Sequence, residues 1–584
     1  MNTIKKIVKQ STCRERAVFL LTDLFLAALC ALGMQVSFNG DVWGTPEENF
    51  LRPLTLLTLG RFVLFFLLGG AVLLALLYLN HIYRRCPVEG GHRKPEVPFI
   101  KGAGRHSRKI LLAAGNIMGR KRLFYFLSLA LLLLAWLPYV LAYFPGGVYV
   151  DTFSSIISAY DMDGHGMALL NNHHPILYTL LWRGAILFGR LFGQGLAFAS
   201  GTFLACQYLA MGAVLAYLIL WVRKRGLGTG LTLALQAFLM FFPLFPLYVV
   251  SLWKDTPFSL VLLLFSLCLG DLAFDGAGRL LGEPGYLARF SILGFLAAFT
   301  RNNGKYIVFL AMAVLLLMQA RKLLACWKAA LSFLLLAALV TVVQGPVYEK
   351  MNYNIDTMVE SLGIPLQQMA YLVYYDYELT EEEEAYIGAI VSEQSIKEQY
   401  RPCVFDSIKW YAPDFKGTVI EEDPGAFLRC WLSLMARHPL GGIRAYLLAT
   451  AGFWAPSVAG SAGYAQTWMW ENQYGLEGRD LLEELTGHTV RGWADSLEPV
   501  SSAVFLLALA MGAFVPLMRR DHGKLLLLLP AAACWLTVMA ATPIACSLWY
   551  VYILVLAVPL DVLLVCVSGE RKETGKRDGE GYHG

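Results

Sequence analysis

Charge is scarce in this chain: 48 Lys and Arg plus 43 Asp and Glu make up only 16% of its 584 residues. A soluble globular protein carries roughly 25% charged residues, so a soluble enzyme is excluded. A disordered chain, which needs more charge and fewer apolar groups, is excluded too. The eleven cysteines have no ligand spacing. Cys30, Cys206, Cys268, Cys534 and Cys566 sit inside apolar runs, where the thiol behaves as a small hydrophobe, so neither a zinc site nor a secreted disulfide scaffold can be read. In their place the chain has 57% hydrophobic and 13% aromatic residues and a mean hydropathy of +0.53. The apolar residues fall in many runs long enough to cross roughly 30 Å of hydrocarbon, each bounded by Gly, Pro or charge. The chain is therefore an integral membrane protein with many spans, and a single-span receptor is excluded. The net charge of +5 does not indicate nucleic acid, because the basic residues cluster at the ends of apolar runs, as topology determinants do.

Twelve spans give a consistent alternation: 16–37, 60–83, 123–144, 199–222, 229–251, 256–274, 289–301, 304–320, 327–345, 500–518, 523–541 and 545–567. Lys5, Lys6, Arg14 and Arg16 precede the first span, and the segment 84–122 carries a dense set of Lys and Arg, so both are expected in the cytoplasm. The same sign recurs at Arg223–Arg225, at Arg321 and Lys322, at Arg519, Arg520 and Lys524, and in the tail from Arg571. This predicts a multi-pass protein of the cell membrane with both termini cytoplasmic. The first span lacks a small-residue cleavage site and is read as retained. The expected domains are a two-span extension with a basic linker (1–122), a transmembrane core (123–345) with an outward loop at 145–198, an outer and interfacial domain (346–499), C-terminal spans (500–567) and a tail (568–584). The acidic stretch 346–440 reads as a mainly helical extracytoplasmic domain. Trp454, Trp468, Trp470 and Trp493 suit the membrane surface. The segment 172–194 is apolar but interrupted by Arg183 and Arg190, and is read as an interfacial helix.

Polar chemistry concentrates at three outward tips. The first is the loop running from Pro145-Gly146-Gly147 to Asp151, then through Asp161, Asp163 and His165 to Asn171-Asn172-His173-His174-Pro175. Pro145 and the glycines stop the preceding helix at the membrane surface and hold Asp151 close to it. A carboxylate there serves as a general base or holds a divalent cation. The competing reading is a helix cap at Asp151. His173 and His174 are candidate ligands or proton shuttles, against ordinary turn residues. The second tip is Lys254-Asp255, where the cation fits a phosphate and the acid adds to the first; the plain alternative is a charge pair marking a membrane interface. The third is Arg301-Asn302-Asn303-Gly304, between two short apolar stretches; its alternative is a loop with snorkelling cations. Cys403 and Cys430 are the only cysteines between 346 and 499, and form the candidate bridge there.

Together these residues resemble the C-type integral-membrane glycosyltransferases, the GT-C group that includes the protein mannosyltransferases and aminoarabinose transferases. The resemblance rests on Pro145-Gly146-Gly147 with Asp151, His173-His174-Pro175, Lys254-Asp255, Arg301-Asn302-Asn303-Gly304 and Ile364-Pro365-Leu366-Gln367-Gln368, and it covers roughly 123–567. It implies an all-α polytopic fold and transfer of a sugar from a polyprenyl-phosphate donor to a cell-wall glycan, lipid or protein acceptor. It also implies a catalytic acid at Asp151, with Asp163 as the second candidate, and a substrate site drawn from His173, His174, Arg183, Lys254, Asp255, Arg301, Asn302 and Asn303. Asp161-Met162-Asp163 has the Asp-x-Asp spacing of metal-dependent members, so a Mg or Mn site involving Asp151, Asp161 and Asp163 is a further expectation. A lipid-phosphate donor lacks a nucleotide pyrophosphate, and Lys254, Arg301 or Arg183 can supply the compensating charge. Two other classes compete: a transporter or flippase of a lipid-linked precursor, and a membrane scaffold. The outward position of the polar tips and the absence of an internal repeat weigh against the former.

The charge pattern predicts that a single cysteine at position 383 reacts with an impermeant thiol reagent on intact cells, while one at position 105 reacts only after permeabilisation. The reverse labelling would overturn the orientation.

Overall fold

A computed structural model describes residues 12–84, 88–89, 92–93, 114–162, 174–320, 327–350, 358–460, 465, 467–541 and 544–569. The described chain is almost entirely helical. Its strands are two short antiparallel pairs, Val36–Ser37 with Phe50–Leu51 and Val88–Glu89 with His92–Arg93.

α1 (Cys13–Gly33) opens on a capping box. The Thr12 hydroxyl accepts from Glu15 N and the Glu15 carboxylate accepts from Thr12 N. α2 (Leu56–Arg84) returns, and α3 (Lys121–Ala142) leads into the outward loop. α4 (Val150–Tyr160) and α5 (Ile176–Leu191) follow, then α6 (Leu196–Lys224). The expected span 229–251 is broken: α7 (Thr229–Phe241) and α8 (Leu244–Val250) meet at 46°. Pro243 explains the break, since its ring denies the next turn a donor. α9 (Asp255–Asp275), α10 (Pro284–Thr300), α11 (Gly304–Met318) and α12 (Trp327–Val342) complete the central set. The segment expected on the outer side, called the outer domain for that expectation, uses α13 (Gly363–Tyr374), α14 (Glu381–Ile390), α15 (Pro424–Arg437), α16 (Pro439–Ala449) and short helices between them. α17 (Ser502–Met518), α18 (Leu529–Ala540) and α19 (Tyr552–Val567) end the described chain.

This is a helical membrane protein. Among the described residues seven helices are long and apolar enough to cross a membrane, eight if the bent pair is one span. All twelve expected segments are helical, but α10, α11, α17 and α18 have 17, 15, 17 and 12 residues. At 1.5 Å per residue they reach roughly 18–26 Å, short of about 30 Å of hydrocarbon. By length and composition, seven or eight of the twelve expected crossings are supported.

The N-terminal helices expected to form a separate extension at 1–122 pack against later parts of the chain. The connection between α1 and α2 packs into the core of the outer domain: Val36 and Val42 join Leu366, Tyr371, Val404 and Trp454. Tyr374 Oη donates to Glu47 at 3.0 Å, and Ser457 Oγ donates to the carbonyl of Gly33 at 2.7 Å. At the expected cytoplasmic ends, Asp271 of α9 binds Arg225 at 2.5 Å and Arg289 at 2.7 Å, tying α6, α9 and α10 together. Cys403 and Cys430 are not bridged to each other, and both, like Cys546, are in the thiol form in this structure.

α17 and α19 approach closely at one glycine. A Cβ added at Gly512 would lie 2.3 Å from Asp561 Oδ1 and 2.7 Å from Asp561 Cβ. Asp561 sits mid-helix and cannot retreat without moving α19. Gly512→Ala is expected to destabilise by about 1–3 kcal/mol, read as a lowered melting temperature in detergent. Gly512→Ala combined with Asp561→Ser should recover part of the loss. An unchanged melting temperature for Gly512→Ala would refute the close approach.

Candidate functional site

The site begins where α3 ends. Gly146 has φ +106°, and a Cβ there would sit 2.6 Å from the Leu252 side chain, so glycine is required on both counts. The loop it starts is laced to the turn between α8 and α9. Gly147 N donates to Val250 O at 2.8 Å, and Leu252 N donates to Gly147 O at 3.0 Å. Gln207 of α6 donates to the carbonyls of Tyr248, Val249 and Ser251 at 3.2, 2.8 and 2.9 Å, satisfying the end of α8. Thr152 and Tyr178 hydroxyls both donate to Leu252 O, at 2.6 and 2.7 Å. Three elements thus hold one turn.

That lacing brings Asp151 to Lys254, with Nζ to Oδ2 at 3.1 Å. Asp151 does not cap its helix: α4 starts at Val150, and its N-terminal flank, Tyr149, makes no side-chain cap. Lys254 and Asp255 stand at the start of α9, where the helix dipole favours the Asp255 carboxylate. Arg301, from the turn between α10 and α11, pairs with Asp255 from behind. The guanidinium lies 4.7 Å from the Tyr550 ring centroid and 5.9 Å from that of Phe258. Gly304 closes this turn, since a Cβ there would meet Ala297 O at 1.9 Å. Asn303 Nδ2 donates to Thr537 Oγ1 at 2.9 Å and anchors the turn to α18.

Acids and cations therefore alternate along a short row, Asp151, Lys254, Asp255, Arg301. The Asp151 side chain is 29% exposed, Lys254 11%, Asp255 0% and Arg301 14%, so the row opens at Asp151. Aromatic rings wall that end. Tyr149 lies 5.3 Å from Trp253, 4.8 Å from Trp468 and 5.8 Å from Trp470, and Trp253 lies 5.2 Å from Trp549. Trp470 N donates to Val148 O at 2.8 Å, which holds the segment carrying these tryptophans over the loop.

Some expected site residues lie elsewhere. Arg183 Nη1 donates to Ala159 O at 3.0 Å, near the far end of α4 from Asp151. Its partner is a helix end whose carbonyls lack intrahelical donors. Asp161 follows the last turn of α4, ten residues or about 15 Å of helix from Asp151. Asp163 and His173 lie outside the described residues. His174 is half-buried, one turn ahead of Tyr178, and Asn302 is half-buried beside Arg301. No group of three His, Cys, Asp or Glu among the described residues is placed to hold a metal ion. Of the expected Asp151, Asp161 and Asp163 set, Asp163 lies outside the described residues, and Asp151 faces Lys254. Sequence reasoning missed Gln207, Thr152, Trp549 and Tyr550. Gln207 was visible as a polar residue inside an apolar run; the others had no signal.

A family profile matches residues 159–579. The chain belongs to DUF6020, a family of unknown function. The DUF6020 match holds Lys254, Asp255, Arg301 and Asn303, and begins after Asp151. Comparison with curated proteins and with solved structures finds no match.

The burial gradient separates two kinds of charge. Asp255→Asn strands Arg301 in a buried position and is expected to cost about 3 kcal/mol or more. Asp151→Asn, at the open end, should cost under about 1 kcal/mol. Thermal unfolding of both variants checks this, and equal losses would contradict the gradient.

Proposed function

We propose that this DUF6020 protein is a membrane-embedded glycosyltransferase of the GT-C kind, moving a sugar from a polyprenyl-phosphate donor to a cell-envelope acceptor on the outer face of the cell membrane. The observation that carries the reading is the Asp151–Lys254 pair at the open end of the row, backed by Asp255 and Arg301. In this reading the twelve helical segments form the core, the termini are cytoplasmic, and the row faces outward.

The chemistry follows from the charges. Asp151 takes the proton of the acceptor hydroxyl, whose oxygen attacks the anomeric carbon as the bond to the donor phosphate breaks, inverting the centre. The lipid phosphate gains one negative charge as it leaves, and Asp151 loses one as it is protonated. Lys254, released from Asp151, pairs with the phosphate oxygen, so the total charge at the site stays constant through the step. Arg301 remains with Asp255 and fixes the position of Lys254 through the start of α9. No metal is assigned a step.

Asp151→Asn keeps the side chain's shape but cannot take a proton. Turnover of a polyprenyl-phosphate sugar by purified protein in lipid should fall roughly 100-fold or more. Lys254→Ala should weaken use of the donor more than of the acceptor. Full activity of Asp151→Asn would remove the assignment. The bend between α7 and α8 favours a second reading, a flippase for a lipid-linked precursor, because broken helices are common in transporters. Cells lacking the protein decide between them: unused lipid-phosphate sugar on the outer leaflet fits the transferase, and precursor trapped on the inner leaflet fits transport.

A further inference from the structure

Two thiols that the sequence kept far apart, Cys403 in the outer domain and Cys546 in the turn before α19, are brought together by short strand-like pairing. Val404 and Ile544 face each other in an antiparallel bridge, and Ala545 N donates to Cys403 O at 2.8 Å. The position pair 403 and 545 is thus of the hydrogen-bonded type, with α-carbons about 5.5 Å apart. Cys546 is one α-carbon step of about 3.8 Å beyond Ala545, so the spacing of Cys403 and Cys546 overlaps the roughly 4.4–6.8 Å that a disulfide spans. The side chains converge on the same structure. Cys403 Sγ donates to Leu448 O at 3.6 Å, while Cys546 Sγ lies 2.7 Å from where a Cβ on Gly452 would be. Leu448 and Gly452 are one helical turn apart. Cys546 is in the left-handed region, φ +67°, which takes its side chain out of the alternation that would otherwise point it away from Cys403.

We infer that Cys403 and Cys546 form a disulfide in the extracytoplasmic compartment, linking the outer domain to the turn that carries the floor of the site. That turn continues into Trp549 and Tyr550, and the Tyr550 ring is the one against Arg301. The bond forms by exchange with a disulfide-bearing thiol oxidant. Cys403 thiolate displaces one sulfur of the carrier to give a mixed disulfide. Cys546 thiolate then displaces the other, leaving the carrier as a dithiol, and the two protons from the cysteines restore its thiols. Both cysteines are buried, 1% and 6% exposed. Burial pushes the Cys403 thiol up to about 12, so the exchange belongs to folding, before the two strands close over the pair. Cys430, the partner expected from sequence, is on α15 beside Glu383, at the margin of the same core.

The test uses full-length protein from cells lysed in an alkylating reagent, digested without reductant and read by mass spectrometry. The expected result is a peptide pair joined through Cys403 and Cys546 that separates on reduction and is missing from Cys403→Ser and Cys546→Ser variants. Alkylation of both cysteines, or a Cys403–Cys430 link, would overturn the inference. Impermeant labelling of a cysteine placed at the exposed position 382, run in parallel, separates the two ways of failing. Labelled 382 with alkylated Cys403 and Cys546 refutes the bond itself, whereas unlabelled 382 refutes the outward side on which it depends.

Discussion

An ionic group at the edge of a membrane must be paired, because the low dielectric on one side denies it the solvation that water gives on the other. The row Asp151, Lys254, Asp255, Arg301 meets that constraint with two acids and two cations drawn from three separate tips. Several close contacts around the row serve the pairing. Gly146 and Gly147 let the loop after α3 lie flat against the turn at 251–253, and Gln207 supplies the donors that this turn lacks. Gly304 makes the α10–α11 turn tight enough to bring Arg301 under Asp255. With any one of these removed, a buried charge would lose its partner.

The same constraint separates positioning from chemistry. Asp255 and Arg301 are enclosed and hold one another; Asp151 is the member of the row with most access to solvent, and Lys254 is the cation it restrains. A cation held by a titratable acid is released when that acid takes a proton. In the proposed reaction, proton acceptance at Asp151 frees Lys254 for the leaving phosphate. The rings of Tyr149, Trp253, Trp468 and Trp470 pack together beside the exposed end of the row.

The N-terminal pair of helices belongs to this architecture as well. α1 and α2 pack with α17 and α19 through Leu26, Leu73, Leu77, Phe514, Val515 and Val565. Their outward connection fills part of the outer domain's core. The family profile begins at residue 159, after this pair and after Asp151. The helices that precede it thus brace elements that lie inside it, α17, α19 and the outer domain.

Much was legible in the sequence because it depends on local composition. Apolar runs with Lys and Arg at alternate ends identify a helical membrane protein, and all twelve expected segments are helical. Pro145-Gly146-Gly147, Lys254-Asp255 and Arg301-Asn303 mark the tips that meet. Hydropathy could not tell that α10, α11, α17 and α18 are short, that Pro243 breaks a span, or that the loop after α1 enters the outer domain, since each is a matter of where a helix stops against its neighbours. The sequence by itself determined the membrane environment, the helical segments and the candidate charges. Only the tertiary structure decided which acid meets which cation, that Arg183 turns to the end of α4, and that Cys403 has Cys546 and not Cys430 beside it. The physical reason is that these pairings join residues about 25 to 145 positions apart, and a partner is selected by distance in space, which composition and spacing do not encode.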